Sequence, residues 1–274
     1  MVLHVTVKDR AGGYVTDLPH EAFRVLEEGG RAQPLRFSTD TDTPITLGIL
    51  IDNSWSMAPN RLLVLAGAAA FAEAMRPQDE LFALAFNERV TSALPPSTPF
   101  TSDSALIHAA LEGSITARGQ TALYDAISAG LGHLRRGTRE RKVLVVVSDG
   151  SDNASRATRQ SAIRQAQESN AVIYTIALVD PIGARGGSPA WLKELAQASG
   201  GESFRPKDAR GIADALRAIV ESIRHTYTLG YVSDDTARDG PFRSVRVVVT
   251  APSGRQLVVR ARAGYVAGRG PVGP

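Results

Sequence analysis

Hydrophobic and polar positions follow two different rhythms along this chain. At the start, Leu3, Val5 and Val7 alternate with His4, Thr6 and Lys8, and Asp9-Arg10-Ala11-Gly12-Gly13 then has the composition of a turn. Phe23 and Val25 sit two apart, Glu27-Glu28-Gly29-Gly30 turns the chain, and Leu35 and Phe37 repeat the spacing. The far end has the same rhythm: Tyr227, Leu229 and Tyr231, then Val245, Val247 and Val249, the turn Ala251-Pro252-Ser253-Gly254, and Leu257, Val259 and Ala261. A period of two predicts half-buried strands, and the turns between them predict β-hairpins at both ends.

The middle changes rhythm. Continuous apolar runs at Ile45 to Ile51, Leu81 to Phe86, Val143 to Val147 and Ala171 to Leu178 are the pattern of strands covered on both faces. Helical segments separate them: Arg61 to Met75, Thr121 to Arg135, Ser155 to Ser169, and Pro189 to Ser199 before Gly200-Gly201. A last helix from about Asp208 to His225 repeats Ile212, Leu216, Ile219 and Ile223 at helical spacing.

Alternating buried strands and helices predict an α/β core, a Rossmann-like doubly wound and mostly parallel sheet. The ends, roughly 40 residues each, are too small to fold separately, so they are expected to join into one small β-sandwich beside the core. The division expected is 1–43 for the N-terminal β segment, 44–226 for the core and 227–265 for the C-terminal β segment. The Gly/Pro-rich stretch from Gly264 to Pro274 is expected to fray, with 266–274 a flexible tail.

Composition narrows the function classes. With 43% hydrophobic and 22% charged residues, the chain is neither disordered nor collagen-like. No apolar run reaches the roughly 20 residues of a membrane span, so a soluble chain is expected. The absence of cysteine removes disulfides, thiolate metal sites and a cysteine nucleophile, leaving oxygen or imidazole for any metal. The net charge is only +3, and the tightest basic cluster, Arg135, Arg136, Arg139, Arg141 and Lys142, has no aromatic partner. Nucleic acid is therefore not an expected partner.

The candidate chemistry lies at two strand ends. Ile49-Leu50-Ile51 runs into Asp52, and Val145-Val146-Val147-Ser148 runs into Asp149, the edge where open α/β sheets bind ligands. Asp52-Asn53-Ser54-Trp55-Ser56 brings a carboxylate and two hydroxyls to every second residue of a loop, and Gly119-Gln120-Thr121 places a third hydroxyl at a helix start. Two carboxylates and three hydroxyls, with no nitrogen or sulfur, select a hard cation. Mg²⁺ fits best, with Mn²⁺ or Ca²⁺ as alternatives, and an acidic group from a partner would complete the coordination.

Taken in order, these three segments resemble the metal-ion-dependent adhesion site of a von Willebrand factor type A domain, the resemblance covering about 44 to 226. It implies Ser54, Ser56 and Thr121 as direct ligands, with Asp52 and Asp149 acting largely through water. It also implies a non-enzymatic adhesion or protein-interaction module binding a partner's Asp or Glu. Val15-Thr16-Asp17-Leu18, Phe23 to Gly29, Tyr227-Thr228-Leu229-Gly230-Tyr231 and Arg260 to Tyr265 further resemble a bacterial "VWFA-related" group found in acidobacteria. The resemblance implies an extracytoplasmic protein, secreted or periplasmic, whose signal has been removed, although composition alone fits a cytoplasmic one too.

Trp55 departs from the small residue common in the family. It either contacts a partner or folds inward over the first helix. Asn53, Gln120 and Tyr124 complete the expected partner-binding set. Met57-Ala58-Pro59-Asn60 offers no acid for a second metal, so one ion is expected. Asp125 is expected to orient the Thr121 loop or cap its helix, and Asp152 and Asn153 read as loop polars. The rival classes are a Mg²⁺-dependent phosphoryl-transfer enzyme of haloacid dehalogenase type and a metal-free scaffold. The first needs a second aspartate two residues after Asp52, where Ser54 stands.

Overall fold

The computed structural model describes residues 1–28, 31–32, 36–39, 42–178, 187–233, 242–251 and 254–266. The first β segment holds β1 (Val2–Asp9), β2 (Phe23–Glu27), β3 (Arg31–Ala32) and β4 (Arg36–Ser38). The core follows with β5 (Ile45–Asp52), α1 (Arg61–Glu73), β6 (Glu80–Phe86), β7 (Val90–Ser92), α2 (Ser104–Ser114), α3 (Leu123–Leu134) and β8 (Arg141–Ser148). It continues through α4 (Arg159–Glu168), β9 (Val172–Ala177), α5 (Pro189–Ser199), β10 (Ser203–Phe204) and α6 (Ala209–Arg224). The chain closes with β11 (Thr226–Gly230), β12 (Phe242–Val249), β13 (Leu257–Arg260) and β14 (Gly264–Val266).

The continuous apolar runs become a six-stranded sheet in the order β10-β9-β8-β5-β6-β7, parallel except for β7. Every residue of β5 is buried because side chains of opposite parity enter different cores. Ile45, Leu47, Ile49 and Ile51 belong to the core shared with α1, α2 and α6, while Leu50 belongs to the one shared with α3, α4 and α5. Gly48 has no room for a side chain, since a Cβ there would lie 2.3 Å from the Phe82 ring. From β5 the chain steps to β6 on one side and later to β8 on the other. The carboxyl ends of β5 and β8 thus form the switch point at which such sheets leave a crevice.

The two chain ends do join, but not as hairpins. One sheet runs β13-β1-β11-β4 and the other β14-β12-β2-β3, so each mixes strands from both ends. Leu3, Val5, Val7, Tyr227 and Leu229 face Phe23, Val25 and Val245 across a shared core, where the Phe23 and Tyr227 rings lie 4.7 Å apart. Among the described residues, the sequence neighbours that do pair are β2 and β3, Leu26 opposite Ala32, and the Asp9–Gly13 turn, which folds back in a short bridge of Lys8 with Tyr14. Strands β12 and β13, on either side of the expected Ala251–Gly254 turn, lie in different sheets, as do β1 and β2, while Pro252 and Ser253 lie outside the described residues. Alternation fixes which face of a strand is buried but not its partner, and the chain crosses the sandwich where a hairpin is expected.

Other boundaries also move. Gly264–Val266 does not fray: it pairs with β12, Gly264 opposite Ser244, and the remaining tail together with Leu35, Gly29 and Gly30 lies outside the described residues. Helix α4 begins at Arg159 rather than Ser155, because Thr158 caps it through Ser161 N (3.1 Å). Helix α2, capped by Asp103, is an element the sequence pattern does not reveal. No helix among the described residues is long and apolar enough to cross a membrane.

Candidate metal centre

Asp52 ends β5 with its side chain 1% exposed. One carboxylate oxygen accepts from Ser54 N (3.0 Å) and the other from Ser148 Oγ (2.6 Å). Ser148 in turn accepts from Gly150 N (3.0 Å), so a fully buried hydroxyl ties the two strand ends together. Asp149, also buried, accepts from Ser151 N (2.8 Å). Ser54 and Ser56 share a hydrogen bond between their hydroxyls at 3.1 Å.

Backbone contacts bring in the third segment. Trp55 N donates to Gly119 O (3.1 Å) and Arg118 N to Asn53 O (2.8 Å), so residues 53–55 and 118–119 lie side by side. Gly119 needs its φ of +85°, and a Cβ there would strike the Glu88 carboxylate. Thr121, 3% exposed, is bound on both sides by the loop after β8: its N donates to Asn153 Oδ1 (2.8 Å) and its O accepts from Asn153 N (2.9 Å). The three loops that carry Asp52, Thr121 and Asp149 are therefore one hydrogen-bonded assembly.

Its electrostatics favour a cation. Burial pushes the Asp52 carboxyl up to about 6 against the hydrogen bonds from Ser148 and Ser54, and the charge of Asp149 adds to the rise. Among the described residues no Lys, Arg or His pairs with Asp52 or Asp149. Nor, among those residues, does any group of three or more His, Cys, Asp or Glu stand ready to hold a metal. Any cation here must draw on hydroxyls, and two buried acids beside Ser54, Ser56 and Thr121 fit a hard divalent ion.

The sequence model of the von Willebrand factor type A domain matches residues 47–218. The chain belongs to this family. No curated protein matches it, and solved structures of similar fold are distant in sequence. An aerotolerance-related membrane protein from Bacteroides fragilis is 20% identical, covering 65% of this chain and 98% of its own, with a TM-score of 0.53. A von Willebrand factor type A protein from Catenulispora acidiphila is 14% identical and covers 96% of this chain and 72% of its own, with a TM-score of 0.57. Proximal thread matrix protein 1 from the mussel byssus, solved with zinc in its adhesion-site motif, is 15% identical and covers 72% of this chain and 49% of its own, with a TM-score of 0.58.

Around the centre of this von Willebrand A domain, the expected partner-binding residues separate into two groups. Trp55 is 77% exposed and Gln120 is exposed, so the indole points outward and not over the first helix. Asn53 is not a rim residue: it is buried, its Oδ1 accepts from Thr116 N and Ala117 N (2.7 and 2.6 Å), and its Nδ2 donates to Ser114 O. Tyr124 is half-buried, its ring edge-on to Trp191 at 4.8 Å.

Three polar residues have structural tasks. Asp152 accepts from Tyr124 N (3.0 Å) and so caps α3 from another loop, while Asn153 accepts from Thr121 N just ahead of that helix. Asp125 accepts from Arg156 N and Ala157 N (3.0 and 2.8 Å), holding the loop after β8 rather than its own. Ser148 is the site residue absent from the expected set; its signal was the hydroxyl in Val147-Ser148-Asp149 next to a buried carboxylate.

Proposed function

We propose that this chain is a metal-dependent protein-binding module whose working unit spans 44–226, flanked by the 1–43 and 227–265 β segments. Ser54, Ser56 and Thr121 would hold a divalent cation, Mg²⁺ in the first place, through their hydroxyls, with Asp52 and Asp149 acting through water and by orienting the serines. The cation would supply Lewis acidity toward a carboxylate of a partner protein. The observation that carries this reading is the pair of buried acids that no Lys, Arg or His pairs with among the described residues.

Ser148 keeps Asp52 aimed, and the hydrogen bond from Ser54 N fixes the loop so that Ser54 and Ser56 stand together. Trp55 and Gln120 form the rim that a partner meets. A non-enzymatic role agrees with the family and with Ser54, since no carboxylate stands where a phosphoryl-transfer acid is needed. The fold neighbours include a pilus tip protein from Porphyromonas gingivalis and the Bacteroides membrane protein, which supports an extracytoplasmic location for this chain. Arg141, from the tightest basic cluster, is buried with its guanidinium on Ile223 O (2.6 Å), which speaks against that cluster as a nucleic-acid surface.

The test is a thermal melt of EDTA-stripped protein titrated with Mg²⁺, Mn²⁺, Ca²⁺ and Zn²⁺, beside Asp52→Ala and Thr121→Ala. An ion at 100 times its dissociation constant adds about 2.7 kcal/mol, and each kcal/mol raises the midpoint by about 2–4 °C in a chain of this size. The parent should show this shift and the Asp52 variant should not. No shift with any of the four ions overturns the metal reading.

A further inference from the structure

Helix α1 and the short 3-10 turn before it, Trp55–Asn60, present an open apolar ridge that begins at the metal loop. The exposed positions run Trp55, Ala58, Pro59, Leu62, Ala66 and Ala70. Steps of three and then four residues match a 3-10 turn passing into an α-helix, so these side chains share one side. Trp55 is 77% and Leu62 72% exposed, both large for apolar residues on an open surface. The other faces of α1 are occupied: Val64, Leu65, Ala68 and Phe71 enter the core, and at Gly67 a Cβ would lie 2.8 Å from Leu216 of α6.

Helix α6 shows what an ordinary surface helix of this fold exposes, namely Arg210, Asp214, Arg217 and Glu221 with the small Ala213 as the apolar exception. Its Ile212, Leu216, Ile219 and Ile223 turn inward, whereas α1 is apolar nearly throughout, a composition that belongs to helices covered on every side. The ridge has the chemistry of a buried face and no neighbour among the described residues.

We infer that the ridge is a docking track for one contiguous segment of a partner protein. That segment places an acidic side chain at the metal and lays aliphatic side chains from Trp55 toward Ala70. The inference rests on the metal-dependent reading above, because the track starts between two of its hydroxyl donors. Size argues for a segment rather than a second copy of the chain: the track is one helix ridge wide and roughly 25 Å long, whereas a stable interface uses about 20–30 residues a side. Charge argues for the acidic end. Arg118 is exposed, has no ion-pair partner among the described residues, and lies beside the metal loop through its backbone bond to Asn53 O. Beyond Trp55 the ridge itself carries no charge until Glu73, so the rest of the segment must be apolar to gain from contact. Trp55 is the anchor, and the alanines leave space for the partner's longer side chains.

The experiment pans a random 16-residue peptide library displayed on phage against the full chain in Mg²⁺, then measures the winning peptides on the parent, Leu62→Glu/Ala66→Glu and Asp52→Ala. Leu62 and Ala66 are exposed, so the double variant should keep the parent's melt and its metal-induced shift; that control separates lost docking from lost folding. The expected winners carry Asp or Glu followed by aliphatic residues, bind about tenfold or more weakly to the double variant, and fail on Asp52→Ala or in EDTA. Winners with an acid alone that bind the double variant as well as the parent overturn the track and leave the metal reading standing. Apolar winners indifferent to EDTA and Asp52→Ala overturn the metal reading and this inference with it. No enrichment, or a concentration-dependent dimer abolished by the double variant, overturns the partner segment.

Discussion

At the scale of single residues, the centre is governed by where one carboxylate can put its charge. Burial raises the Asp52 carboxyl from its ordinary 3.8 to about 6, so in the metal-free protein its ionisation opposes folding. Below about pH 4 the group is protonated in both folded and unfolded chains and costs nothing; between about 4 and 6 the unfolded chain releases the proton first, and above 6 the penalty is complete, on the order of 3 kcal/mol. In EDTA, the stability of the parent relative to Asp52→Asn should therefore fall as pH rises from 4 to 6.5, and saturating Mg²⁺ should reverse the difference at neutral pH. Denaturant melts of both proteins across that range check it, and a flat difference would show that Asp52 carries no such penalty. Ser148→Ala is the companion case. It strips a donor from Asp52 and an acceptor from Gly150 N, which should cost about 1–3 kcal/mol in the same melts and weaken the Mg²⁺-induced shift.

At the scale of elements, helix α3 shows how the centre is assembled, because its N-terminus has no side-chain cap of its own. Asp152 supplies a missing acceptor at Tyr124 N and Ser155 Oγ another at Asp125 N, while Asn153 takes Thr121 N just ahead of the helix, so the Thr121 and Asp149 loops hold each other in place. Asp152→Ala should lower stability by about 1 kcal/mol, or about 2–4 °C, and speed amide exchange in the first turn of α3 more than anywhere else; uniform exchange would refute the trans-cap. The four buried core strands, the helices other than α2 and the meeting at one sheet edge of the three loops that carry Asp52, Thr121 and Asp149 were legible in the sequence. Parallel strands buried on both faces leave unbroken apolar runs, and ligand loops follow from strand ends. Capping between loops was not legible, since nothing in Ser151-Asp152-Asn153 reveals a helix N-terminus that lies 28 residues away in the chain. Pairing in the sandwich was hidden for a related reason: Val245 and Val247 alternate as they would in any antiparallel sheet, and only the folded chain shows that they face Glu27 and Val25.

At the scale of the whole molecule, the sandwich and the core are welded at the end opposite the metal loops. Arg262 donates to Ser169 O (2.7 Å), Tyr14 to Ala218 O (3.2 Å), Arg260 pairs with Glu202, and α6 passes into β11 through His225 with the buried Arg224–Asp79 pair beside it. His4 lines the cavity at this seam with Arg141, Tyr174, Ile223 and Thr226. Burial, reinforced by Arg141 and then Arg262, lowers its imidazole from 6.5 to about 3, so it stays neutral in the folded protein. The unfolded chain protonates at 6.5 while the folded one does not until about 3, and stability present at neutral pH is lost progressively as the pH falls between those values. His4→Gln removes the titrating group and keeps a polar side chain, so its melting temperature should decline less than the parent's from pH 7 to 4. If the seam joins both units into one cooperative body, far-UV circular dichroism and Trp191 fluorescence, read in a Trp55→Phe background, should report the same midpoint at every pH in that range. Two separate midpoints would mean that the core melts independently of the sandwich. An unchanged acid slope in His4→Gln would place the acid sensitivity in some group other than His4.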